Sequence, residues 1–121
     1  MIILTATFAL SMHLAAPVTD VADNLPRFNV EPLCRGIAQQ GGLDLEPDQT
    51  ISQSIKSCVK SEMLIRDRLL QQWSGFGAAD KANCIAEASA GGVPSYTELL
   101  TCLQMAQDVR RIGDYKGMLG Q

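Results

Sequence analysis

Apolar residues recur at helical spacing along most of the chain beyond residue 32. The series Ile51, Ile55, Cys58, Glu62, Ile65, Leu69 and Trp73 advances by three or four residues at every step, which marks one continuous helical face. Val59, Met63 and Leu70 form a flanking stripe. Together they predict the longest element, a helix opened by Pro47 and Asp48 and running to Trp73. Two stripes require two neighbours, so this helix is expected to be the structural spine. Before it, Pro32 suits a first helical turn. Leu33, Cys34, Ile37 and Ala38 provide the apolar side of a short helix, which Gly41 and Gly42 end with a left-handed cap. After the spine, Gly75 and Gly77 interrupt the pattern between Trp73 and Phe76, an aromatic pair expected to plug the core. An alanine-rich third helix is predicted over residues 79–90, closed by Gly91 and Gly92.

Ser95 followed three residues later by Glu98 reads as a capping box at the start of a fourth helix. Leu99, Cys102, Leu103, Ala106 and Val109 share its apolar face, and its end is expected near Ile112. Arg110 and Arg111 would then occupy the last turn, where cations suit the helix dipole. Residues 113–121 contain three glycines and are expected to fray. Residues 20–31, with Pro26, Asp20, Asp23 and Asn24, read as an extended lead-in, mobile or loosely docked.

The predicted fold is therefore all-α: a small four-helix domain over residues 32–112, made of two disulfide-stapled helical hairpins and preceded by a signal-like N-terminal segment. Residues 1–18 contain no charged side chain, and the apolar run reaches Leu14-Ala15-Ala16. That length suits a signal-peptide core over residues 1–19 and is marginal for a membrane span. No Lys or Arg stands near its start and Pro17 follows the best small-residue site, so an uncleaved anchor or a buried cytosolic helix are the alternatives. A membrane partner is expected only if the segment is uncleaved.

Composition sharpens this picture. The 121 residues suffice for one small domain. At 46% hydrophobic but only 5% aromatic, the core must be aliphatic and alanine-rich, which favours helices. A net charge of −3 with signs interspersed gives no basic stripe, so nucleic acid is not an expected partner.

The four cysteines, Cys34, Cys58, Cys84 and Cys102, are even in number and widely spaced in a short chain. That even count, together with the signal-like start, implies disulfides and a periplasmic or secreted location. No C-x-x-C pair is present, which argues against a redox motif; a zinc site built from four distant cysteines is the minor alternative. Cys84 precedes Gly91 by seven residues and Cys102 follows Ser95 by seven. At about 10 Å from the turn each, they face one another in an antiparallel hairpin. Cys34 and Cys58 fit less evenly, seven before Gly41 and ten after Asp48. The local pairing, Cys34 with Cys58 and Cys84 with Cys102, is preferred; the two crossed pairings stay open.

Candidate chemistry is sparse. The single histidine is His13, inside the signal-like segment, and no phosphate loop or nucleophile elbow occurs. No catalytic, cofactor-binding or metal-ligating residue is assigned and no cofactor is expected; the site residues are the four cysteines. Glu62 stands one turn before Arg66 and is expected to form an ion pair with it. Glu62, Glu87 and Glu98 are the only candidates for a carboxylate-only enzyme, and each has a simpler structural role. The leading reading is a non-catalytic exported helical module that binds a protein or envelope partner. The alternatives are a small-ligand or lipid carrier, which needs an internal pocket, and the carboxylate enzyme.

Cys34-Arg35-Gly36-Ile37-Ala38, Trp73 with Phe76, Cys84, and the run of residues 91–106 from Gly-Gly-Val-Pro-Ser-Tyr-Thr-Glu to Cys-Leu-Gln-Met-Ala resemble small exported cysteine-containing proteins of uncharacterised function from rhizobial alpha-proteobacteria. The resemblance covers residues 33–110. It implies export and transfers no activity, cofactor or catalytic residue.

Overall fold

The computed structural model describes residues 24–41 and 50–120. The chain forms α1 (Glu31–Gln39), α2 (Ile51–Gln72), a 3-10 turn (Trp73–Gly75), α3 (Ala78–Ser89) and α4 (Tyr96–Met118). No strand occurs among the described residues. α1 packs on α2 and α3 on α4, and α2 also packs on α4, joining the two hairpins. α2 is thus the spine that its two stripes predict. The signal-like segment, His13 and the Pro47–Asp48 opening lie outside the described residues.

Each hairpin carries one disulfide, Cys34–Cys58 and Cys84–Cys102, with Cα atoms 5.7 and 5.6 Å apart. The local pairing holds in both. The two sulfur pairs account for all four cysteines, so the four-cysteine zinc alternative is excluded. Disulfides of this kind belong to a non-reducing environment.

Several ends follow the expected chemistry. Pro32 lies in the first turn of α1. Gly41 and Gly92 adopt positive φ, 69° and 73°, just past α1 and α3, a conformation that side-chain-bearing residues rarely accept. Trp73 and Phe76 are buried and meet edge to face at 6.5 Å. The Lys81 ammonium sits 5.0 Å above the indole, which lets a cation be buried on an aromatic face.

Four expectations need correction. α2 starts at Ile51 behind a full capping box: Thr50 Oγ1 accepts from Gln53 N, and the Gln53 amide oxygen accepts from Thr50 N. The hydroxyl of Thr50 and the amide of Gln53 satisfy the end donors, so the helix opens behind Thr50 rather than at Pro47 and Asp48. α4 does not fray at Gly113 but continues to Met118, so Arg110 and Arg111 are not in a last turn. Arg110 instead donates to Asp80 on α3 at 2.7 Å. The lead-in is docked over residues 24–30. Val30 is buried, and Leu25 and Phe28 pack against the core. Finally, the two α2 stripes are unevenly covered: Leu69 and Trp73 are buried, whereas Ile51 at the start of the main stripe and Leu70 in the flanking one are 57% and 52% exposed.

The core is one cluster: Leu69, Trp73 and Phe76 from the end of the spine, Cys84 and Ala88 from α3, and Tyr96, Leu99, Leu100 and Leu103 from α4, with Val30 beside them.

Candidate functional site

The start of α4 is where the two hairpins and the lead-in meet. Ser95 is the N-cap, and its hydroxyl oxygen accepts from Glu98 N at 3.2 Å. Helix starts leave further N–H groups without partners. Here the second acceptor comes from another helix. The Glu62 carboxylate of α2 accepts from Tyr96 N at 2.7 Å, Thr97 N at 3.4 Å, Ser95 Oγ at 3.3 Å and Thr97 Oγ1. Glu62 is 6% exposed, and its negative charge lies at the positive end of the α4 dipole.

This arrangement replaces two local expectations. Glu62 is not paired with Arg66. Arg66 Nε lies 3.6 Å from Asp67 Oδ1 and has no hydrogen-bond partner among the described residues. Four converging donors outcompete one flexible cation at i,i+4, which is worth only about 0.2–0.5 kcal/mol on a helix. Nor is the α4 capping box reciprocal: Glu98 is exposed, and Glu62 supplies the carboxylate that Glu98 was expected to bring.

On the opposite side of Tyr96 the lead-in is clasped. The Tyr96 hydroxyl donates to Pro26 O at 3.0 Å and accepts from Phe28 N at 2.8 Å. The Phe28 and Tyr96 rings lie 4.9 Å apart. No sequence pattern pointed to this contact, since its partners are about 70 residues apart.

Two surface grooves border the node, and a third lies apart from it. One, of about 670 Å³, is lined by residues 24–28 with Met63, Arg66, Leu70 and Tyr96. A second, of about 330 Å³, runs along the α3–α4 hairpin beside Cys102 and is lined by Glu87, Thr97, Glu98 and Met105 among others. It brings together Glu87 and Glu98, both exposed, while Glu62 is committed to its donors and does not line it. The third, of about 580 Å³, lies between α1 and α2. Its apolar side is Ile51, Ile55 and Val59; Arg35, Lys56, Lys60 and Glu31 flank it. Arg35 is partnered by Glu31 one turn earlier, which leaves Lys56 and Lys60 as the groove's excess charge.

Among the described residues, no group of three or more His, Cys, Asp or Glu side chains is placed to hold a metal ion, and no helix is long and apolar enough to cross a membrane. Compared with known protein families, curated proteins and solved structures, the chain matches none.

Proposed function

We propose that the chain is a non-catalytic helical binding module, exported to the periplasm or secreted, and that the α1–α2 groove takes an apolar, acidic segment of a protein partner. The observation that carries this reading is the open groove at the start of the spine, where the half-buried Ile55 and Val59 flank an exposed Ile51. Ile51 is 57% exposed in a groove it shares with Ile55 and Val59, with Lys56 and Lys60 beside it. An amphipathic helix laid into such a groove would bury its apolar face there. Its carboxylates would meet the two lysines, adding rate and selectivity more than affinity. The disulfides, the signal-like start and the resemblance to small exported proteins support the compartment.

The test is site-specific photo-crosslinking from position 55 in intact producing cells. A discrete protein adduct is expected, and Lys56→Glu with Lys60→Glu should abolish it while leaving the helical spectrum unchanged. Crosslinking to lipid alone, or an adduct indifferent to the charge reversal, overturns the reading.

A further inference from the structure

The second half of α4 extends past the body of the molecule. Residues 108–118 are all exposed, and the Arg110–Asp80 ion pair ties them to α3. Three turns of free helix with Gly113 and Gly117 inside are marginal in water, where isolated helices shorter than about 12–15 residues rarely persist. Yet this stretch carries the largest run of exposed apolar side chains in the protein's described part. Met105, Val109, Ile112, Tyr115 and Leu119 are 64%, 69%, 56%, 60% and 55% exposed. They fall on one face, because their steps are four, three, three and four. Ile112 is nine residues, or two and a half turns, beyond the fully buried Leu103, so the stripe points directly away from the core.

We infer that this face binds a second copy of the same chain, antiparallel, about a two-fold axis through Ile112. The face is self-complementary about that residue. Its members are Ile112 and the positions three, four and seven residues to either side. Val109 mirrors Tyr115, Asp108 mirrors Lys116, and Met105 mirrors Leu119. A two-fold antiparallel crossing sets each residue across from its mirror, the condition for an isologous interface. Every pair is then apolar with apolar or acid with base. A parallel arrangement would instead set Asp108 beside Asp108 and Lys116 beside Lys116. The crossing also keeps the two bodies apart, since each hangs from the half of α4 before its own Ile112.

Five side chains of this size, each more than half exposed, offer on the order of 500 Å² of apolar surface per chain. The total of about 1,000 Å² lies at the lower limit of specific interfaces. The dimer is therefore a weak, reversible one, with dissociation in the micromolar range and sensitivity to salt through its two Asp108–Lys116 pairs.

Sedimentation equilibrium of the full oxidised chain tests this. Wild type is expected to move from one to two chains between about 1 and 100 μM. Asp108→Lys alone and Lys116→Asp alone should each weaken association about tenfold or more, since like charges then face across the axis. An equimolar mixture of the two variants should recover the wild-type affinity, because each supplies the charges the other lacks. Ile112→Asp should give a monomer with unchanged disulfides and helical content. A wild-type monomer at 100 μM overturns the inference. So does a dimer whose affinity ignores both charge reversals, or two variants that fail to rescue each other when mixed.

Discussion

Replacing Glu62 is the sharpest perturbation the fold offers. In Glu62→Ala, the Tyr96 N–H loses its 2.7 Å acceptor at a residue that is 1% exposed. A stranded buried donor costs about 1–3 kcal/mol. The carboxylate's interaction with the α4 dipole in a partly buried site adds about 1–2 kcal/mol. The Thr97 and Ser95 hydroxyls contribute less. Thr97 is exposed and can turn to water, and Ser95 still accepts from Glu98 N. The expected loss is about 3–4 kcal/mol, a large share of the roughly 5–15 kcal/mol typical of small domains. In thermal terms that is about 15–25 °C for a body of this size. Glu62→Gln keeps one acceptor oxygen but loses the charge and turns an amide donor toward other donors, for a loss of about 2 kcal/mol. Urea unfolding with both disulfides intact gives these values directly, and amide exchange at Tyr96 and Thr97 should accelerate in both variants. If both unfold within about 0.5 kcal/mol of wild type, or if amide exchange at Tyr96 and Thr97 is unchanged in both, the carboxylate does not hold α4.

Tyr96→Phe removes one donated and one accepted bond to the lead-in; a loss of about 1–2 kcal/mol is expected, with faster limited proteolysis within residues 24–30 as the more specific readout. Removing the Cys84–Cys102 bridge, which closes a separation of 18 residues, should lower stability by about 3 kcal/mol on a chain-entropy basis, and full reduction should lower Tm further; an unchanged melting curve in excess reductant contradicts this. Arg110→Ala breaks the Asp80 pair, but the Arg110 side chain is 57% exposed, so a change below about 1 kcal/mol is expected in the same unfolding assay.

The elements most legible in the sequence were those fixed by neighbours along the chain. Cysteine heights within a hairpin follow from counting residues to a turn: the count is even for Cys84–Cys102, while the uneven count for Cys34–Cys58 leaves the crossed pairings open until the structure shows the local one. Gly41 and Gly92 announced helix ends because only their conformation suits those positions. What sequence left hidden is tertiary. Glu62 stood beside Arg66 at a favourable spacing, and nothing local revealed that the α4 start would arrive with four donors. The Tyr96 clasp joins residues about 70 apart, with no periodic signal on either side. Thr50-x-x-Gln53 was readable as a cap but was eclipsed by Pro47 and Asp48. The three glycines after Ile112 favour fraying by propensity, whereas the apolar stripe on the same turns carries the opposite signal.

Because a carboxylate on α2 completes the first turn of α4, neither hairpin is self-sufficient. A peptide spanning α3 and α4 can close its own disulfide, yet its second helix would begin with open N–H groups until the spine is supplied. The two halves therefore melt together rather than in sequence. Cutting the chain between them should yield fragments that regain structure on remixing, with the Glu62 side chain as the measure of how strongly each half demands the other.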